Sequence, residues 1–429
     1  MFETIKIRAR TLSALALGSA PAFLTPVVIV QRLDVTDSSS VLLVYSISAI
    51  VAALFSNTIE TTTLAILSSI YATGGSVSRR QVRFLALEGL RLSAVPVVTL
   101  FCGLLVAYWR LSSGLSLMKL CTAGLLIIPI PLILAWCAAY SGELFARRKL
   151  SIVYLSGLGR GVPPLLAAFI VPELIAVSAA YLLGESLRAI FLWRNCARGI
   201  GTESSSDTIP FGVRQMSALF ISNSLGQIMP ALMQAIFAWS GPTAIGQGAI
   251  ALRVQAAIAQ VTTGGLIMHN VSRFAAMVFN TEGGKDAVKR VLLREAIKVC
   301  LAAVIVASLG LVTVGFAFYF LRELLSPTVL GGLVWSSVLI AALPTVALTF
   351  WAGRGLIIAG IRRPLPTVIA VASLISAALG LLLLPLIDGV SALIASGVCS
   401  VITAIGYTFI LLRNGPAQFA SQGSSIRGG

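Results

Sequence analysis

Residues 68–92 read SSIYATGGSVSRRQVRFLALEGLRL, and residues 272–298 read SRFAAMVFNTEGGKDAVKRVLLREAIK. Each begins after a long apolar run, turns through glycines, carries a cluster of Lys and Arg, and starts an amphipathic helix that runs into the next apolar stretch. A second pair recurs at a similar offset of roughly 205–215 residues: FARRKL at 145–150 and AGIRRPL at 359–365. Two copies of one pattern are therefore written into the chain. Because each copy holds an even number of apolar runs, both copies insert in the same orientation. That is a parallel repeat, whose axis lies along the membrane normal.

The apolar runs set the class. Of 429 residues, 57% are hydrophobic and only 11% charged, against about 25% charged in a soluble globular protein. A span needs roughly 20 mainly apolar residues. Such stretches fall at about 12–31, 41–62, 84–109, 118–142, 151–171, 174–195, 212–237, 243–270, 292–320, 329–352, 365–386 and 390–412. Helices are expected throughout, because a lipid-exposed backbone must satisfy its own hydrogen bonds. The fold class is thus an all-α polytopic membrane protein of about 12 transmembrane helices. They divide into an N-terminal six-helix lobe (1–195), a polar linker (196–210), a C-terminal six-helix lobe (211–412) and a polar tail (413–429). The tail, NGPAQFASQGSSIRGG, is too polar and Gly/Ser-rich to fold alone.

The net charge of +16 could suggest nucleic acid, but its distribution argues otherwise. With the N-terminus inside, 24 of the 31 Lys and Arg fall on cytoplasmic segments and 4 on outward loops. This bias predicts cytoplasmic N- and C-termini in a multi-pass protein of the bacterial inner membrane. The start, MFETIKIRARTLSALALGSA, has the outline of a signal peptide, yet Pro21 follows and the apolar run continues to Val30. An uncleaved first span is expected. Six cysteines, at 102, 121, 137, 196, 300 and 399, show no paired spacing and read as packing residues. One histidine, His269, leaves no His-based metal or triad site to build. There is no P-loop, GxSxG or HExxH, so any movement of cargo is expected to be powered by something other than ATP hydrolysis by the chain itself.

Three arginines, Arg160, Arg188 and Arg253, fall inside spans. Arg253, in AIALRVQAAIAQ (249–260), lies on one small, polar helical face with Gly246, Ala249, Ala257, Gln260 and Gly264. A mid-membrane arginine costs at least a few kcal/mol unless it meets a wet cavity or a counter-charge, so a functional role is the default. The plainer alternative is a structural arginine bonded to carbonyls. Asn223, Gln227 and Gln234 form a stripe around Pro230, which is either a cavity lining or a helix–helix seam. Arg160, in SGLGRGVPP, reads as part of an interrupted helix, presenting dipoles to a ligand or bonding freed carbonyls. Glu185 and Arg188, three apart, are expected to pair. Glu60 shares a face with Ser48, Ala52 and Ser56 and is the best carboxylate for ion coupling, ahead of His269 and Asn270.

GPTAIGQGAIALRVQ (241–255), SRFAAMVFNTEGGKDAVKRVLLREAIK and the stretch from AGRGLIIAGIRRPL to SGVCSVITAI (352–405) resemble the MviN-type lipid II flippases. These are a branch of the multidrug/oligosaccharidyl-lipid/polysaccharide (MOP) exporter superfamily, which also holds the Wzx-like polysaccharide flippases. NTIETTTLAILSSIYATGG (57–75) fits more loosely. The resemblance implies a two-lobed, alternating-access flippase with an arginine-lined central cavity. Its cargo would be an undecaprenyl-diphosphate-linked saccharide, with Arg253 and Arg160 as diphosphate ligands and Gln260, Asn223, Gln227 and Gln234 lining the cavity. No cofactor or metal is implied beyond a coupling H+, Na+ or the membrane potential, with Glu60 as the coupling carboxylate. Partners would be the lipid-linked saccharide, membrane lipids and envelope polymerases or glycosyltransferases, not nucleic acid. The lipid II flippases carry Arg-Asp in span 1, where this chain has Thr25-Pro26, and an arginine near Ala52. They also have fourteen spans. An exopolysaccharide or O-antigen unit therefore fits better than lipid II. Two alternatives stand: a cation-coupled multidrug exporter of the same superfamily, which needs cavity carboxylates, and a membrane-embedded polysaccharide polymerase or ligase, which needs a larger outward loop than RLSSGLSLM (110–118).

Overall fold

The computed structural model describes residues 2–72, 77–112, 114–147, 149–196, 213–268, 284–359, 361 and 363–427. They form helices throughout: α1 (Phe2–Arg32), α2 (Val35–Ala72), α3 (Arg79–Leu111), α4 (Leu117–Ile127), α5 (Pro129–Ala146), α6 (Leu150–Ile170) and α7 (Leu174–Asn195). Then follow α8 (Val213–Ser240), α9 (Pro242–Gln260), a π-helical segment (Val261–Met268), α10 (Gly284–Leu321), α11 (Pro327–Ala341), α12 (Leu343–Ile358), α13 (Pro364–Ile387) and α14 (Val390–Arg427).

Among the described residues, nine helical stretches are long and apolar enough to cross a membrane, with α4 and α5 counting as one. The pair α11 and α12, bent by 47° at Ala342, adds a tenth. The other two predicted spans are α8 and α9, whose Asn, Gln and Arg residues lower their hydropathy. The polar residues that make these two helices weak spans are those the sequence marked for function. His269 and Asn270 lie outside the described residues. The tail, too polar to fold alone, continues α14 to Arg427. Extending a helix already nucleated by a span costs far less than starting one.

Contacts group the chain into two compact units, Met1–Ile250 and Ala251–Gly429. Helix α8 belongs with the first because it packs on α2 and α3. A division into two six-helix lobes on either side of 196–210 is a proposal that rests on the sequence repeat. In the first unit α2 is the most enclosed helix, with 78% of its apolar window buried. It packs chiefly on α5, while α6 lies between α1 and α7. The basic turn leads into α3 through a capping box: the Ser78 side chain accepts from the Gln81 amide, and the Gln81 side chain accepts from the Ser78 amide. In the second unit Val288, Leu292, Trp351, Leu356, Tyr407 and Leu411 centre the core.

Glycines decide how closely α6 approaches its neighbours. A Cβ on Gly161 would come within 2.6 Å of the Ala22 amide nitrogen on α1. A Cβ on Gly184 would lie 2.7 Å from the Arg160 carbonyl oxygen. Without a hydrophobic drive between helices in lipid, such backbone-to-backbone packing is a main source of association. The glycine and proline run SGLGRGVPP thus does not interrupt the helix. Helix α6 is continuous through Pro163 and Pro164, and its glycines serve contact rather than breakage.

Candidate functional site

Close packing of α6 on α7 brings Arg160 to Glu185. Arg160 Nε lies 2.7 Å from Glu185 Oε1 and also donates to Tyr45 Oη of α2 at 2.8 Å. Arg188, one turn beyond Glu185, places Nη1 3.4 Å from the other carboxylate oxygen, and its Nε donates to Ser156 Oγ at 3.4 Å. Tyr181 stacks on Tyr45 with centroids 4.1 Å apart and closes the cluster. Glu185 is fully buried, whereas the side chains of Arg160 and Arg188 are 26% and 18% exposed. One buried carboxylate therefore holds two guanidinia, which keep access to space. A charge left uncompensated at this depth would cost several kcal/mol, so each member requires the others.

That space is a cavity of about 300 Å³ in the first unit. Helix α2 lines it with one face, Ala49, Ala52, Ala53, Ser56, Asn57 and Glu60, and α5 contributes Cys137 and Ser141. Arg160 and Arg188 close it from α6 and α7. Ala49 and Glu60 are separated by about 16 Å along α2 at helical rise, so Glu60 stands toward the end of the wall remote from Tyr45. Arg160, Glu60 and Ala52 meet at one cavity.

The remaining predicted residues are placed as follows. Asn223 donates from Nδ2 to Thr58 Oγ1 at 2.8 Å, a hydrogen bond between α8 and α2. Gln227 is half-buried and Gln234 is buried in the same helix. In the second unit Arg253 is half-buried past the middle of α9, and Gln260 is exposed at its end, where the helix widens into the π-helical segment. Thr25, at the place of the flippases' Arg-Asp pair, donates to Pro21 O at 2.7 Å and to Gly161 O at 3.3 Å, a packing role between α1 and α6.

No family model matches the chain, and no curated protein matches it in sequence. Solved structures do match. An inward-facing multidrug resistance MATE family transporter of the MOP superfamily is 13% identical, with a TM-score of 0.69 over 98% of this chain and 99% of that one. A MOP superfamily transporter from Pyrococcus furiosus, whose binding pocket is described as having reverse polarity, is 13% identical with a TM-score of 0.67 over 96% of both chains. The fold is that of the MOP transporters. The lipid II flippase MurJ, in an inward closed conformation, is also similar: 11% identity and a TM-score of 0.63, covering 95% of this chain and 87% of that one. Identity this low is compatible with a shared MOP fold because lipid-facing positions accept almost any apolar residue, so the backbone path outlasts the sequence.

Within this MOP fold two features escaped the sequence reading. Tyr45 carries no signal in an apolar run, and only the approach of α2 to α6 makes it a partner of Arg160. Glu143 is a further buried carboxylate, at the end of α5; its Oε1 accepts from Tyr71 Oη at 3.0 Å and pairs with Arg147 at 3.3 Å. Burial, followed by the neighbouring Glu143 carboxylate, pushes the Tyr71 phenol above its ordinary pKa. The signal was present as Glu143 and Arg147 at i,i+4, but it sits beside a basic turn and reads there as a solvated end.

Proposed function

We propose that this multi-pass MOP-fold protein is an alternating-access flippase. It moves an undecaprenyl-diphosphate-linked saccharide, an exopolysaccharide or O-antigen repeat unit or a lipid II-like precursor, from the cytoplasmic to the periplasmic leaflet. The carrying observation is that Arg160 lines the same cavity as Ala52. Where the resemblance implies an arginine on span 2, this chain has a small residue and supplies the guanidinium from α6. Arg253, in the second unit, is a diphosphate ligand in its own right, offering a planar fork to phosphate oxygens. Glu60 is the coupling carboxylate for H+ or Na+, or responds to the membrane potential.

The charge inventory supports anionic cargo over cationic drugs. Of the carboxylates near the cavity, Glu185 is already bound to two arginines, which leaves Glu60 as the lining carboxylate. The similarity to a lipid II flippase supports a lipid-linked cargo, while that to a multidrug transporter keeps drug export as the outcome to be tested against. The reading carries with it the bacterial inner membrane, cytoplasmic termini, and hand-over to envelope polymerases and glycosyltransferases.

The test is transport of a fluorescent undecaprenyl-diphosphate oligosaccharide in proteoliposomes, wild type against Arg253→Ala. Transport by wild type that falls at least tenfold in a folded variant is expected. Undiminished transport by the variant would remove Arg253 from the site. Failure of wild type to move any lipid-linked saccharide, with efflux of a cationic dye, would replace the flippase reading by drug export.

A further inference from the structure

Arg188 has so far served only as a partner of Glu185, yet its geometry gives it a second task. Its Nε is engaged by Ser156 and its Nη1 by Glu185, while its Nη2 has no hydrogen-bonding partner among the described residues. Arg160 is arranged in the same way: Nε and Nη2 are engaged by Glu185 and Tyr45, and Nη1 has no such partner among the described residues. Both side chains line the cavity. Two guanidinia are thus anchored through some of their donors by one buried carboxylate and keep others for whatever occupies the space.

We propose that Arg160 and Arg188 form a two-guanidinium oxyanion site for a phosphoryl group, and that Glu185 is its positioning residue. This extends the flippase reading and rests on it for the identity of the cargo. Around Glu185 the charges sum to one net positive, and Glu60, which lines the same cavity from α2, brings the whole set to neutrality, so the site rests on the directed N–H groups of the two guanidinia and not on an excess of positive charge. The volume of about 300 Å³ lies at the lower limit of small-ligand sites, roughly 300–1,000 Å³. It suits a phosphate or diphosphate with its waters and is too small to enclose an undecaprenyl chain or a saccharide as well. Guanidinium fits this ligand because two of its N–H groups can address two oxygens of one phosphoryl group at once. The positioning is built on three sides. Tyr45, backed by Tyr181, fixes Arg160 from α2. Ser156 fixes Arg188 from α6. The glycine contacts at Gly159 and Gly184 set the distance between α6 and α7.

The experiment uses the full chain purified in nanodiscs, with inorganic pyrophosphate as probe and chloride and sulfate as controls, read by calorimetry. Arg188→Gln is expected to weaken pyrophosphate binding about 10- to 100-fold, the range for a lost charge-assisted hydrogen bond. Glu185→Gln separates positioning from bulk charge. Removing a negative charge should tighten every anion if charge alone matters. A positioning role instead predicts tighter chloride but weaker pyrophosphate, so that selectivity falls. Undecaprenyl diphosphate added to the nanodisc should displace pyrophosphate if the phosphoryl source is a lipid; lack of displacement would mark the site as one for soluble phosphoanions and overturn its link to the cargo.

A second measurement guards against variants that do not fold. In a chain whose native cysteines are replaced and which carries Asn57→Cys, at an exposed position of the cavity lining, pyrophosphate should slow alkylation of the introduced thiol. Unchanged pyrophosphate affinity in folded Arg188→Gln, or alkylation at position 57 that pyrophosphate does not slow, overturns the site whatever is transported. Binding that depends on Arg188 and Glu185, alongside proteoliposomes that move no lipid-linked saccharide, leaves the site standing and removes the flippase reading.

Discussion

Glu185 has no exposed surface, and each of its carboxylate oxygens is committed to a different arginine. Breaking a buried ion pair from one side costs about 3–5 kcal/mol, because the abandoned charge stays buried. Here the abandoned guanidinia reach a cavity, so Glu185→Ala is expected to cost about 2 kcal/mol, below that range. Glu185→Gln keeps an acceptor of the same shape and should cost less. Thermal unfolding of the detergent-solubilised protein, followed by tryptophan fluorescence, gives the order: wild type, then Gln, then Ala. An alanine variant as stable as wild type would mean that the arginines are held by something else. The pairing of Glu185 with Arg188 was legible from their spacing of three on one helix. The capture of Arg160 was not, since that residue lies 25 positions away on another helix.

At the level of helices, α6 carries the arrangement through its glycines. Gly184→Ala would drive a methyl to 2.7 Å from the Arg160 carbonyl oxygen, and the obstacle is backbone, which cannot swing aside. Overpacking of this kind costs about 1–3 kcal/mol, and separating α6 from α7 should also weaken pyrophosphate binding. Gly103→Ala on α3 is the matched control, because its new methyl would meet nothing within 4 Å. Unfolding midpoints of the two variants should differ by several degrees. Equal midpoints would show that α6 and α7 can part without loss. Sequence patterning misjudged this helix by reading its glycines and prolines as the interruption that some transporter helices carry. In lipid the backbone amides have no solvent partner to turn to, so the helix persists and glycine becomes a contact surface.

For the molecule as a whole, the distribution of Lys and Arg predicts that both termini face the cytoplasm. Reporters fused to residue 1 and residue 429, one active only in the cytoplasm and one only in the periplasm, should both give the cytoplasmic signal. A periplasmic signal at either end would overturn the even number of spans and, with it, the parallel repeat.

Sequence by itself determined the class: helical, polytopic, with spans at twelve places, because the bilayer imposes length, apolarity and an internally satisfied backbone on every segment that crosses it. It also marked Arg160, Arg253 and Glu60, since a charge inside an apolar run is costly enough to need a reason. Only the tertiary structure decided which of these residues meet. Helical phase is a local property, whereas the approach of α6 to α7 and α2 depends on backbone contacts between segments far apart in the chain. That approach gave Arg160 a carboxylate, a tyrosine and a second arginine as neighbours and set the two arginines beside one cavity.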